Sequence, residues 1–388
     1  MREEDVIKLA QSLISTPDVG DAAKRLIQFL EGKDLYLEEI TYKDNPVVIA
    51  KVEGREKKEP LIFVTHLDVA PPGPEELWSF PPFSGRVEGN VLKGRGATKS
   101  KGGLASVAVA LADLASEGIK PERDIFLLAL PDGERGYRSL EAISGFGKGF
   151  ALIVAPTSTI SEWSVPLVCI SQLGRANLRV KIRGRPAHPS LSWYGDNPLL
   201  KIPKIISVLQ EMWPTHKYYP TRFKEATEDL LTAFLLGMST LTPIGVRVKN
   251  EARIHTPVEV EIDVCVTLPP NYSAEKVAND LNSKLGLKDA TIEILDEIPF
   301  FTGNPNAWIV KELEKIILDV TGYFPLYEWF PYPAAAHLMM KLGLATEVVT
   351  FGPGDFKLSY RPDEWVNVND LMMASKVYRR LMEGRKHV

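Results

Sequence analysis

Leu61-Ile62-Phe63-Val64-Thr65-His66-Leu67-Asp68 is the stretch that decides the fold. Four consecutive apolar residues read as a short strand buried on both faces. A histidine and an aspartate stand just past its carboxyl end. Asp124 to Leu130 and Leu152-Ile153-Val154 repeat the pattern of a buried strand. From Leu104 to about Ser116 the chain is rich in alanine and valine, which suits a helix packed closely on a sheet. Apolar strands alternating with helices predict an α/β domain with a mainly parallel sheet.

Working outward, residues 4–32 place Val6, Leu9, Ala10, Leu13 and then Ala23, Leu26, Ile27, Leu30 at helical spacing, and Pro17 and Gly20 divide the run into two helices. A strand is predicted from Pro46 to Glu53. Near residue 173 the pattern changes: Asn177 to Ile182 and Val258 to Val264 alternate polar and apolar residues, the mark of strands with one wet face. A helix is predicted at about 197–213, another from a Ser273 cap through Leu285, and a strand from Ala290 to Leu295. That order fits a small α+β domain of ferredoxin-like type. The α/β character returns with a helix at 306–321, the strand Glu347 to Phe351 and a helix from Asn369. The expected division is therefore a discontinuous α/β domain, 1–172 and 298–388, with a smaller α+β domain inserted at 173–297.

Composition narrows the function. The chain has 388 residues, with 46 Lys and Arg against 50 Asp and Glu, a formal charge of -4. So small a charge gives no sign of a nucleic-acid or anionic-membrane partner. No apolar run approaches a membrane span, and Met1-Arg2-Glu3-Glu4-Asp5 lacks the apolar core of a signal peptide. Cys169 and Cys265 both fall in strand-like segments without Cys-x-x-Cys spacing. Buried thiols in a reducing cytoplasm are the expected reading, with a disulfide between them left open.

In open α/β sheets the functional crevice lies beyond the carboxyl ends of the strands. Three stations stand there: His66, the Asp132-Gly133-Glu134 loop, and Ala155-Pro156-Thr157. His-x-Asp suits zinc, because one ring nitrogen can bind the metal while the carboxylate orients the other. It keeps specific company. Gly94-Arg95-Gly96-Ala97 and Lys101-Gly102-Gly103 follow, then Asp132-x-Glu134-x-Gly136 and Pro156-Thr157. Next come Arg185-Pro186-Ala187-His188-Pro189, Gly352-Pro353-Gly354 and Arg361-Pro362-Asp363-Glu364-Trp365. In this order the motifs resemble, over essentially the whole chain, the zinc-dependent family of acetylornithine deacetylase, succinyl-diaminopimelate desuccinylase, aminoacylase and glutamate carboxypeptidase. The resemblance implies a zinc-peptidase-like catalytic domain with an inserted lid or dimerisation domain. It also implies hydrolysis of an amide next to a carboxylate by two metal ions about 3.5–4 Å apart.

The resemblance also shows what is missing. It carries the first metal histidine onto His66, with Asp68 as its orienting carboxylate, and one metal-binding glutamate onto Glu134. The bridging aspartate falls on Lys99, the catalytic base on Gly133, the next acidic ligand on Ala155 and the last histidine ligand on Tyr360. The oxyanion-stabilising histidine falls on His188. Two of five direct ligands remain, His66 and Glu134. A lysine about 4 Å from a dication opposes its binding by roughly 8 kcal/mol at an effective dielectric near 20. The expectation is a degenerate member without a metal cofactor, in which Lys99 pairs with Glu134 or Asp68 in the old metal cavity. Such a protein could bind an amino-acid-like or peptide ligand, and form a homodimer or pair with an active relative. The alternative is an active amidohydrolase, an N-acyl-amino-acid deacylase or carboxypeptidase, with a rearranged or one-zinc site. A third reading gives acid–base chemistry without metal to Lys99, Tyr360 and His188. Asp132 is the nearest substitute base but is expected to face elsewhere. Arg175, Arg183 and Arg185 form a candidate anion cluster near His188, against the plainer reading of a solvated strand face. His337 is expected to pack a helix, and His216 and His255 to lie on the surface. There is no phosphate-binding loop and no Gly-x-Ser-x-Gly elbow.

Overall fold

A computed structural model describes residues 3–143, 145, 147–157, 166–212, 240–249 and 254–384. The chain divides into two compact units, one of Met1–Ser171, Thr302–Phe330 and Ala334–Val388, the other of Gln172–Phe301 and Pro331–Pro333.

The first unit opens with helices α1 (Glu3–Ile14) and α2 (Val19–Leu30) and strands β1 (Tyr36–Tyr42), β2 (Asn45–Val52) and β3 (Leu61–His66). Strands β4 (Arg86–Glu88) and β5 (Val91–Lys93), helix α3 (Gly102–Ser116) and strands β6 (Ile125–Leu130), β7 (Gly149–Ile153) and β8 (Leu167–Gln172) follow. The second unit holds β9 (Gly174–Arg183), α4 (Ile202–Met212), β10 (Leu241–Lys249), β11 (Glu259–Leu268), α5 (Ala274–Leu285) and β12 (Ala290–Ile298). After it come β13 (Phe301–Thr302), α6 (Trp308–Thr321), β14 (Leu326–Phe330), α7 (Ala336–Lys341), β15 (Ala345–Thr350), β16 (Trp365–Asn367) and α8 (Val368–Glu383).

The large sheet runs β1-β2-β6-β3-β7-β15-β8-β13, with β14 paired to β8. Its centre, β6-β3-β7-β15, is parallel. Strands β1 and β2 extend it antiparallel on one side, and β8 pairs antiparallel with β15 on the other. Every residue of β3 and β6 is buried, as their unbroken apolar runs require. Helix α3, buried along nearly its whole length, packs with α8 and α1 into one core with the sheet. A three-stranded ribbon, β16-β5-β4, lays Trp365–Asn367 against Val91–Lys93. It brings the turn after β5 and the turn before β16 side by side, although some 265 residues separate them in sequence.

The described residues of the second unit form a β-α-β-β-α-β array whose antiparallel sheet runs β10-β11-β9-β12, the ferredoxin-like order. Alternation on β9 buries Ala176, Leu178, Val180 and Ile182 in a core with α4 and α5. The other face is laced by ion pairs, among them Arg179–Asp263 at 2.7 Å, Arg247–Glu261 at 3.1 Å and Arg183–Glu259 at 3.4 Å.

The short strands β4, β5 and β16 escape a periodicity reading because three residues carry no period. The helix expected from 197 begins as a tight 3-10 turn at Pro198–Lys201 and becomes α-helical only at Ile202. Residue 213 and His216 lie outside the described residues. Both cysteines are free thiols. Among the described residues no helix is long and apolar enough to cross a membrane.

Candidate functional site

His66 ends β3 with its ring buried. Its Nδ1 lies 2.9 Å from Asp68 Oδ1 and 3.0 Å from the Asp68 carbonyl. Both partners only accept, so Nδ1 carries a proton and donates it to them. The Asp68 carboxylate does more than orient a ring. Its Oδ1 accepts the Gly133 N–H at 2.8 Å and its Oδ2 the Glu134 N–H at 3.0 Å. Asp68 thus ties the loop after β6 to the end of β3.

That tie draws Gly133 hard against the histidine. A Cβ on Gly133 would lie 2.2 Å from His66 Cγ and 2.6 Å from His66 Cβ. No side chain fits there unless the loop or the ring moves. The glycine at the position onto which the resemblance carries the base is therefore demanded by the local packing. Asp132 offers no substitute, because its carboxylate accepts both the backbone N–H and the hydroxyl of Ser139.

Across the site, Gly96 takes a left-handed conformation and Ala97–Lys101 winds as one π-helical turn into α3. Lys99 sits in it, 8% exposed. Lys99 lines the same pocket as Glu134, one of the two carboxylates with which the sequence reading pairs it. Asp68 is engaged by His66 and two backbone N–H groups, and Glu134 Oε2 accepts the Tyr360 hydroxyl at 2.6 Å. The Lys99 ammonium lies over the Tyr360 ring, 5.4 Å from its centroid. Tyr360 is half-exposed and holds a left-handed φ of 68°, an uncommon conformation for a bulky residue. Glu134 Oε1 is buried without a hydrogen-bond partner. Lys99, Glu134, Tyr360, Arg95, Glu364, Gly96, Val69 and Ala70 line a pocket so tightly filled by these side chains that it leaves no room for a water molecule.

Beneath these side chains lies an ion pair that sequence reading quoted only as parts of two motifs. Arg95 NH1 meets Glu364 Oε2 at 2.7 Å, with both side chains buried. Burial pushes the Glu364 carboxyl up, while the Arg95 guanidinium and the N–H groups of the Lys99 turn pull it down. Lys101, on the same turn, is fully buried and reaches the Thr16 carbonyl at 2.5 Å. Burial pushes its ammonium down to about 8, against the opposing pull of Asp68 and Asp18.

Ala155 follows β7 and is buried; the Val154 N–H just before it bonds the Val64 carbonyl, which sets it beside the end of β3. So His66, Asp68, Lys99, Gly133, Glu134 and Tyr360 gather, and Ala155 stands at the neighbouring strand end. His188 belongs to the second unit. It is exposed there and its Nδ1 accepts the Ser190 N–H at 3.2 Å, capping a short 3-10 turn. The arginines of the candidate cluster follow the plainer reading of a strand face: Arg175 faces Asp296 at 3.8 Å and Arg183 faces Glu259. Arg185 joins Asp196 through the backbone. His337 is half-buried in the first turn of α7, and His255 turns its Nδ1 to the Thr256 carbonyl.

The resemblance implies two zinc ions, and the residues present do not fit them. A cation stands at the bridging position, a methyl group at one acidic position and a phenol at the last histidine position. One of the two surviving ligands already takes that phenol as its hydrogen-bond donor. Among the described residues no three His, Cys, Asp or Glu side chains gather into a metal-holding group.

Comparison with known proteins agrees with the family resemblance. The family described as Peptidase family M20/M25/M40 matches residues 62–384. The succinyl-diaminopimelate desuccinylase of Pseudoalteromonas translucida is 25% identical over 392 residues, covering 98% of both chains. The enzyme of the same name from Blochmanniella floridana is 27% identical, again over 98% of both. Among solved structures, the M20 family metallo-carboxypeptidase Sso-CP2 from Sulfolobus solfataricus matches with a TM-score of 0.77 at 18% identity, over 98% of both chains. Human carnosine dipeptidase 1 matches with a TM-score of 0.75 at 14% identity, over 97% of this chain and 95% of its own. At those identities the structures speak for the fold alone.

Proposed function

The chain belongs to peptidase family M20/M25/M40, and from that premise we propose that it has lost two-zinc amide hydrolysis and acts as a non-hydrolytic, ligand-binding member. The observation that carries this reading is Lys99, a buried cation capped by Tyr360 where the resemblance puts the bridging carboxylate. The contact of Gly133 with His66 supports it, because a side chain returned there would have to displace the loop or the ring. The ligand class the reading favours is an amino-acid-like or peptide molecule, and the cellular setting it favours is the cytoplasm. The test is hydrolysis of N-acyl amino acids and dipeptides with added zinc. The expected result is no turnover above buffer. Zinc-stimulated hydrolysis abolished by His66→Ala would sink the proposal.

A second reading, a hydrolase working with one metal on His66 and Glu134, is favoured by one observation. Relatives named as desuccinylases match end to end at 25–27% identity. The same assay decides between the two.

We also propose that the protein forms a homodimer through the second unit. Among the described residues strand β10 is a sheet edge. Along it Ile244, Val246 and Val248 stay 60%, 52% and 46% exposed. Such an edge is a template for pairing with another chain. Sedimentation should give a dimer mass, and Val246→Arg should shift it toward the monomer. A monomer for the unaltered protein at micromolar concentration would refute the contact.

A further inference from the structure

We propose that the buried Arg95–Glu364 pair is the positioning element of the pocket, holding the Lys99 turn and the Tyr360 turn so that the phenol caps the lysine and reaches Glu134. The assignment rests on which atoms the pair holds. Glu364 Oε1 accepts the backbone N–H groups of Thr98 and Lys99, each at 3.1 Å. Arg95 donates from NH1 to the Arg361 carbonyl at 3.2 Å and from NH2 to the Tyr360 carbonyl at 3.3 Å. The two partners are joined to each other at 2.7 Å, so one rigid unit grips the backbone at both positions.

Geometry makes the grip directional. The guanidinium fork is planar and presents several donors at fixed angles. It can bond two successive carbonyls only if that chain segment turns toward it, and Tyr360 does so at a φ of 68°. The Trp78 ring lies 5.0 Å from the Arg95 guanidinium and restrains it from the other side. Asp363 adds a strap by accepting the Ser79 N–H at 2.7 Å. A strained residue persists only where its surroundings over-determine it. Around Tyr360 those surroundings are Arg95 at its carbonyl and Glu134 at its hydroxyl. The inference concerns the pocket's geometry and holds under either functional reading.

The test reads the capping of Lys99 directly. The folded protein is treated with limiting sulfo-NHS-acetate, and acetylation is mapped by mass spectrometry after chymotryptic digestion, with exposed Lys33 as the internal reference. Lys99 should react about 10-fold or more slowly than Lys33, as a protected group does. Tyr360→Ala should remove most of that protection without touching the pair. Arg95→Leu should remove it to a similar degree while circular dichroism still shows the native fold. Arg95→Lys keeps the charge but not the fork, and should fail to restore protection. Two results would overturn the proposal: a folded Arg95→Leu protein in which Lys99 stays as protected as before, or a Tyr360→Ala protein that is no more reactive. Should Arg95→Leu not fold, Glu364→Gln is read in its place. It keeps an acceptor for the two N–H groups and loses the charge, so Lys99 should become reactive. If neither variant folds, the pair is a folding element and the positioning role falls.

Discussion

The two sides of the pocket are built by opposite means. On the β3 side, His66 and Asp68 keep the residues that the family resemblance expects, and Asp68 has become a structural knot with three donors on one carboxylate. On the facing side, Lys99 and Tyr360 replace the expected residues, yet the backbone beneath them is gripped by a buried ion pair. Retention and replacement therefore do not track rigidity. On the β3 side the expected residues also carry the local structure, since Asp68 ties two backbone N–H groups and the His66 ring together. A replaced residue can be as well anchored as the one it displaced.

The largest effect should come from breaking the facing side. Glu364→Leu leaves Arg95 buried and unpaired, and should cost about 3–5 kcal/mol in urea unfolding. A loss below about 1 kcal/mol would mean the pair contributes little. On the β3 side, Gly133→Glu restores the expected base by name. Overpacking typically costs about 1–3 kcal/mol, and a contact as close as 2.2 Å places this variant at the upper end. It should not acquire amidase activity.

Lys101 gives a prediction that depends on pH. Its folded value, about 8, lies below its ordinary 10.5. Between those values the unfolded chain holds more protons than the folded one, so stability rises with pH across that window. Below about pH 8 the full cost of burying the charge is present. The stability advantage of Lys101→Met at pH 7 should therefore shrink by up to about 3 kcal/mol as pH approaches 10.5. A flat difference across that range would mean Lys101 titrates normally.

Tyr360→Phe should have the smallest effect, about 1.5 kcal/mol, the low end for a hydrogen bond to a charged group, because the phenol is half-exposed. If it cost as much as Glu364→Leu, the side chain rather than the backbone grip would hold the turn.

Much of this was legible in the sequence. Leu61 to Val64 announces a buried central strand, and β3 is buried throughout. Ser273 caps α5 as expected, its hydroxyl accepting the Lys276 N–H. The expected gathering of His66, the 132–134 loop and the Lys99 turn followed from strand ends and motif order. Three things were hidden. The bond from the Tyr360 hydroxyl to Glu134 could not be read, because 226 residues separate the two and no periodicity links their turns. Gly133 looked like a simple deletion of function, because the closeness of His66 exists only in three dimensions. Arg95 and Glu364 showed no sign of pairing, since 269 residues separate them and no periodicity links a loop to a turn.

On the function proposed above, this pocket has exchanged metal ions for its own side chains. The most direct test of that exchange is to equilibrate the purified protein with zinc, desalt it and measure metal per chain by mass spectrometry. The account predicts a value near zero, unchanged in His66→Ala. One or two tightly held zinc ions per chain, lost on His66→Ala, would contradict it.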